Sequence, residues 1–250
     1  MGLSNFVYMM VFALLTAGAP LSYAWGVDGH YMVCRIAQSR LTSAASSAVL
    51  DLLPSGANGD LASECSWADN VRTAYPWSSP LHYVDTPDNL CTYDYTRDCH
   101  DSSGNAGYCV VGAINNYTTQ LLQYPTSTYN LTQALMFLAH FMGDVHQPLH
   151  VGFTTDAGGN SITVYWYTTK TNLHSSDQVS QWDACGSSSA DCANNFATES
   201  IQDACSYAYK DAYQNARLND TYFLSRKPIV ETRIAQAGVR LANLLNQIFV

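Results

Sequence analysis

Between Asn130 and Pro148 the chain encodes one long apolar helix that ends in a cluster of metal-ligating side chains. Asn130, with Gln133 three residues on, resembles a capping box that opens a helix over Leu131 to about His146. Leu135, Leu138, Phe141, Met142 and Val145 recur at helical spacing and supply an apolar face for the core. The same stretch and the residues just after it carry His140, His146 and His150 with Asp144 among them, in a chain with only seven histidines. On a helix, His140 and Asp144 stand one turn apart on one face. Pro148 has no N–H to donate and stops the helix, which puts His150 on the loop just beyond. Imidazole and carboxylate are both good zinc ligands. Chelation is therefore one reading of the cluster, and a buried polar group at a helix end is the other.

The surrounding sequence is helical in pattern. Helices are expected over Gly26 to Arg40 and over Ser43 to Leu53, the second ended by Pro54. A third, capped by Asp60, runs through Trp67, Asp69 and Arg72 to about Tyr75. Turn residues, aromatics and two cysteines make Pro76 to Gly107 a long loop, and Tyr108 to Tyr124 is helical again. After a turn at Gly158-Gly159-Asn160, the residues Ile162, Val164 and Trp166 alternate as in a short strand. Helices over Ala193 to Ala216 and Pro228 to Phe249, the latter with Pro228 near its first turn, close the chain. A length of 250 residues allows a sizeable core, and no repeat, low-complexity tract or linker divides it. The expected fold is all-α: a single mainly helical domain at 25–250, with long disulfide-pinned loops and a minor short β element.

Residues 1–24 carry no charged side chain, and Phe6 to Leu15 form an apolar core. Ser22 and Ala24 stand at the −3 and −1 positions of a cut before Trp25, as in a secretory signal peptide. The apolar run is short for a membrane span, which needs about 20 residues. Eight cysteines, Cys34, Cys65, Cys91, Cys99, Cys109, Cys185, Cys192 and Cys205, contain no CxxC and read as disulfides. Asn116, Asn130 and Asn219 head N-glycosylation triplets. These features together predict a secreted or endomembrane (vacuolar) glycoprotein that does not insert in a membrane. A net charge of −9 argues against a broad basic surface tracking nucleic acid, although bound divalent cations would reverse the sign locally.

The pieces Trp25-Gly-Val-Asp-Gly-His30, Trp67-Ala-Asp69, Leu81-His82-Tyr83-Val84-Asp85, His140-Phe-Met-Gly-Asp144, Gln147-Pro-Leu-His150, Gly158-Gly-Asn160 and Asn172-Leu-His174 follow one another in this order. Together they resemble the zinc-dependent single-strand-specific nucleases, which include fungal mononucleotide-producing and plant bifunctional nucleases. The resemblance covers essentially all of 25–250, and the closing run Tyr222 to Val230 looks plant-like. It implies a phospholipase C/zinc-nuclease-like fold and a site with three zinc ions. Asp69, His82 and His140 would hold one. Trp25, through its freed amine and its carbonyl, and His30 would hold a second. Asp144 would bridge these two with a hydroxide between them for in-line attack on phosphorus. His150 and His174 would belong to the third.

The resemblance also makes Arg72, next to Asp69, a contact to the scissile phosphate and so a catalytic residue beside Asp144; a guanidinium suits that geometry. Its plainer alternative is a surface ion pair. Tyr83 and Asp85 occupy positions that stack on and hydrogen-bond an unpaired base. His146 and His100 match no ligand position. The implied activity is hydrolysis of single-stranded DNA and RNA to 5′-mononucleotides by a monomer, with 3′-nucleotidase activity. The alternatives are a zinc phospholipase C and a zinc-binding glycoprotein with impaired turnover. The last rests on a departure from the pattern: Gln178 stands four residues after His174, where the family has Asp. Asp177 comes one residue early, Asp183 lies further on, and Cys185 arrives sooner than in relatives. The disulfide pairing, guided partly by the family, is Cys34–Cys65, Cys91–Cys205, Cys99–Cys109 and Cys185–Cys192.

Overall fold

The computed structural model describes residues 25–176 and 189–250. The expected signal segment, together with Asp177, Gln178, Asp183 and Cys185, lies outside the described residues. Helices α1 (Gly26–Gln38) and α2 (Ser43–Leu52) follow the expected bounds, with the Thr42 side chain capping α2. Asp60 caps the next helix through the Ala62 amide, but that helix does not continue to Tyr75. It is broken into two single turns, α3 (Leu61–Glu64) and α4 (Trp67–Asn70). The break falls at Cys65, whose sulfur is bonded to Cys34 and whose carbonyl accepts from His140 Nδ1 at 2.8 Å. A carbonyl used that way is no longer available to the helical ladder.

The long loop contains a 3-10 stretch, Pro76–His82, and one helical turn, α5 (Tyr95–Asp98). The Cys99–Cys109 disulfide closes it at the start of α6 (Val110–Leu121). Helix α7 (Leu131–Asp144) begins where Asn130 Oδ1 accepts from the Gln133 amide at 3.1 Å. Only half of the capping box forms, because the Gln133 side chain donates to the Tyr75 hydroxyl instead. Every residue of α7 from Ala134 to Asp144 is buried, not one face alone. An all-round buried helix is the centre of a fold, and α7 packs on α6 and against α1, α2, α4 and α9. Pro148 does end the helix, yet His150 lies in a 3-10 turn, Pro148–Val151, rather than in an open loop.

The β element is larger than expected. Strand β1 (Thr163–Trp166) pairs antiparallel with β2 (Thr169–Asn172) and parallel with β3 (Ala216–Leu218), in the order β2-β1-β3. Helix α8 (Ser189–Asp203) runs into a π turn, Ala204–Ala208, and so stops short of Ala216. Asp211 and Asn215 adopt left-handed backbone (φ 67° and 65°) that these residue types tolerate, and they turn the chain into β3. Helix α9 (Asp220–Ile248) begins at the Asn219 cap, so Pro228 is inside it rather than near its start. Pro228 and Leu224 both lie on the exposed side, where water can satisfy the carbonyl that Pro leaves unpaired. Cys91–Cys205 ties the long loop to the π turn. Cys34–Cys65, Cys91–Cys205 and Cys99–Cys109 are thus bonded as expected, while the pairing of Cys192 with Cys185 involves a residue outside the described set.

Candidate metal centre and its flanking subsite

The C-terminal end of α7 delivers His140 and Asp144, both fully buried, to a point where four other segments converge. Asp144 Oδ2 is 3.0 Å from His140 Nε2 and 3.0 Å from His82 Nδ1. Those two nitrogens are 3.1 Å apart. Asp69 Oδ1, from α4, lies 3.6 Å and 3.8 Å from the same pair. The other carboxylate oxygen of Asp144 lies 3.5 Å from His30 Nε2 on α1 and 3.2 Å from His150 Nδ1. The His30 and His140 rings stack with centroids 3.9 Å apart. Trp25 is fully buried, and its indole N–H donates to the Gly143 carbonyl at 2.7 Å, which holds the beginning of the described chain against α7.

Two sets, His30/His140/Asp144 and Asp69/His82/His140, each bring their ligand atoms within 4.8 Å of one another. Tetrahedral ligands at zinc-like bond lengths sit about 3.3 Å apart, close to the spacings seen here. His150 and His174 form a further pair, with Nε2 atoms 3.2 Å apart. In three of these histidines the backbone fixes the tautomer. Nδ1–H donates to the Cys65 carbonyl from His140 (2.8 Å), to the His82 carbonyl from His150 (2.6 Å) and to the Gly158 carbonyl from His174 (2.7 Å). In the neutral ring each Nε2 then keeps its lone pair, aimed into the site, the arrangement second-shell partners impose on ligating histidine.

A fit to cations also explains what is otherwise unpaid polarity. Both ring nitrogens of His30 and Oδ1 of Asp144 are buried with no hydrogen-bond partner. A buried polar atom without a partner costs about 1–3 kcal/mol, and folded proteins rarely concentrate such atoms at one point. The titration pattern is consistent with this. Burial lowers His30, brings His82 down to about 4 and His174 to about 3. Burial also opposes charge on His140, but the Asp144 and Asp69 carboxylates outweigh it and raise that imidazole to about 9. Burial would raise Asp144, yet His140 and His150 hold it well below the usual carboxylate range. With no cation, one proton on His140 compensates Asp144.

Beside the buried cluster lies an open rim. His82 and Val84 point inward from one extended segment, so Tyr83 and Asp85 alternate to its other side, with Tyr83 39% exposed. This segment is bonded to the His150 turn through Val84 N–H to the His150 carbonyl (2.8 Å) and Thr86 N–H to the Gly152 carbonyl (2.9 Å). Arg72 stands 3.6 Å from Asp69 with its side chain 26% exposed. Burial and Asp85 push the Tyr83 hydroxyl up while Arg72 acts against them. Burial and the Asp156 carboxylate raise Asp85 to about 6.

His146 belongs to a different network. It is buried, donates from Nδ1 to the Met142 carbonyl at 2.7 Å, and meets Arg240 through Nε2 at 2.9 Å. Burial and the charges of Arg233 and Arg240 hold it well below the ordinary histidine range. His100 is exposed. Neither motif spacing nor periodicity singles out the residues that clamp the end of α7. Arg233 donates to the His146 carbonyl (3.1 Å), Ser200 to the Val145 carbonyl (2.5 Å), and Arg233 and Arg240 share Glu199 at 2.7 Å. The available signal was two arginines next to Ile234 and Leu241 on the buried stripe of α9. Asn116, Asn130 and Asn219 are all exposed, and the last two also cap α7 and α9. No helix among the described residues is long and apolar enough to cross a membrane.

The S1/P1 Nuclease family model matches the chain in two segments, residues 25–183 and 175–250. The chain is 48% identical to Endonuclease 2 of Arabidopsis thaliana over 282 residues, covering 97% of each. It is 47% identical to Endonuclease 4 of the same plant, covering 98% of this chain and 94% of that one. It is 34% identical to Nuclease S1 of Aspergillus oryzae, covering 94% and 96%. The family match breaks at 175–183, and an alignment of 282 residues exceeds the 250 present here, so relatives contain residues with no counterpart in this chain. The break coincides with the early arrival of Cys185 after His174.

Proposed function

The chain belongs to the S1/P1 nuclease family, and from that premise we propose that it is a secreted, zinc-dependent nuclease cleaving single-stranded DNA and RNA to 5′-mononucleotides, with 3′-nucleotidase activity. The observation that carries this reading is the two-sided presentation of Asp144: Oδ2 toward His82 and His140, Oδ1 toward His30 and His150. Asp69, His82, His140 and Asp144 would hold one zinc; Trp25, His30 and Asp144 a second; His150 and His174 a third. When bound, zinc lowers the pKa of water and neutralises charge at phosphorus.

The protein supplies position and selectivity. Arg72 offers a guanidinium fork to the phosphate at the mouth of the cluster. Tyr83 stacks on a base, which requires that base to be free of a partner strand. Asp85 accepts from the edge of the base, and with its carboxyl raised to about 6 it does so best above that pH. The signal segment 1–24 is removed on export, freeing the Trp25 amine; the three sequons carry glycans, and the enzyme acts as a monomer.

A comparison of substrates tests the proposal. Single-stranded DNA and RNA are expected to yield 5′-mononucleotides while duplex DNA and phosphatidylcholine vesicles remain intact. Hydrolysis of phosphatidylcholine with no release from nucleic acid would overturn it in favour of a phospholipase. One observation favours a second reading, a zinc-binding protein with impaired turnover: Gln178 occupies the position four residues after His174. Zinc binding without cleavage of any of these substrates would support it.

A further inference from the structure

We propose that the Tyr209 hydroxyl is the positioning group for His174, acting through Asp156 and the turn that follows it. The inference rests on the proposed role of His150 and His174 as a metal-holding pair.

The link is a short chain of hydrogen bonds. His174 Nδ1–H donates to the Gly158 carbonyl at 2.7 Å, which fixes the ring. The turn bearing that carbonyl is held by Asp156, whose Oδ1 accepts from the Gly159 amide at 2.6 Å. The same oxygen accepts from the Tyr209 hydroxyl at 2.9 Å. That hydroxyl in turn accepts from the Phe153 amide at 2.8 Å, so it both donates and accepts. The Tyr209 ring stacks on Phe153 at 4.5 Å.

The backbone is shaped to admit these contacts. A Cβ at residue 152 would lie 2.6 Å from the Tyr209 oxygen, so glycine is needed for the hydroxyl to approach. A Cβ at residue 158, already at φ +61°, would lie 2.2 Å from the Leu149 carbonyl. Tyr209 itself comes from the far end of the chain, just after the π turn tethered by Cys91–Cys205. One hydroxyl therefore fixes the loop that begins at His150, pairs with Thr86 next to Asp85, and ends at the carbonyl orienting His174.

Removing the second-shell partner of a metal ligand typically weakens metal binding about 10–100-fold. Tyr209 acts one link further out, so Tyr209→Phe, which keeps the ring and its stacking, is expected to weaken the loosest zinc step by about tenfold. The test is competition of the mature protein with a chromophoric chelator for zinc, resolving each binding step. The set is wild type, Tyr209→Phe, Asp156→Ala, their double variant and His174→Ala. The expected result is an unchanged tight step or steps, a weakened loosest step in Tyr209→Phe, and a double variant no weaker than Asp156→Ala alone, as a serial link requires. Asp156→Ala reports on the same link if Tyr209→Phe does not fold.

The failures are distinguishable. If His174→Ala loses the loosest step and Tyr209→Phe retains it at wild-type affinity, or if Tyr209→Phe weakens every step equally, the positioning role is overturned and the metal reading stands. If His174→Ala binds zinc identically to wild type, the metal reading of the pair falls and the inference with it.

Discussion

Replacing Gly143 by alanine separates helix propensity from the geometry of the cluster. Gly143 precedes Asp144 on α7 and faces the His30 ring. A methyl group there would lie 2.6 Å from His30 Nδ1 and 2.8 Å from its Cε1. Unstrained contacts of this kind are about 3.5 Å, so the ring has to retreat by roughly 1 Å. It has little room, being stacked on His140 at 3.9 Å. Intrinsic propensity favours alanine over glycine by about 1 kcal/mol, and overpacking a core costs about 1–3 kcal/mol. The net loss of stability is then about 0–2 kcal/mol, a Tm lowered by at most roughly 8 °C for a chain of this size. Catalysis should suffer far more, because a displacement of about 1 Å in a positioned group costs on the order of 100-fold. Gly143→Ala is thus expected to fold, to bind less zinc and to hydrolyse single-stranded DNA about 100-fold more slowly. Melting, metal analysis and initial rates on one preparation decide it. A folded variant with its full metal content and undiminished rate would refute the claim that His30 is held in position by the bare face of α7.

Other outcomes follow from the same geometry. His140, raised to about 9 when no cation is bound, must lose its proton when a cation binds; zinc affinity should therefore rise with pH up to about 9, and calorimetry in two buffers of different protonation enthalpy should show proton release. Without metal the sign is opposite: the stabilisation from protonated His140 is complete below about 6.5 and is lost as pH rises through about 9, visible as a falling Tm of the chelated protein. Glu199→Ala leaves the buried Arg233 and Arg240 without their shared carboxylate. Since Glu199 is 36% exposed, the cost should lie near the lower end of about 3–5 kcal/mol, a Tm drop of roughly 6–12 °C. Protein retaining residues before Trp25 should keep its fold through the indole bond to Gly143 but bind less zinc and lose activity; full activity in a verified uncleaved form would contradict the proposed use of the Trp25 amine.

The α7 helix and the cluster at its end were legible in the sequence because their signals are local. A side-chain cap, an apolar run, a terminating proline and donors at fixed spacing all lie within one stretch. The division of α3 from α4 was not legible, since its cause is remote: Cys65 gives its sulfur to Cys34 and its carbonyl to His140. Strand β2 reads Thr-Lys-Thr-Asn and has no apolar alternation; its pairing is supplied by β1. The turn before β3 depends on left-handed Asp211 and Asn215, which no periodicity reveals. Tyr209 is one of 17 tyrosines, and only the fold brings its hydroxyl to Asp156. The residues expected to hold metal are scattered from Trp25 to His174; the fold gathers most of them because α1, α4, the 3-10 turns and α7 share one core, while a second, smaller cluster with Leu149 and Leu173 brings His174 to His150.

On the proposed reading, the chemistry depends on metal held by this cluster. The most direct measurement is metal content and single-stranded DNA cleavage on one sample of mature protein, before chelation, after exhaustive chelation and after zinc is restored, with Asp144→Asn in parallel. Cleavage and bound zinc are expected to disappear and return together, and Asp144→Asn is expected neither to hold its full zinc complement nor to cleave. Undiminished cleavage by protein from which all metal has been removed would contradict it.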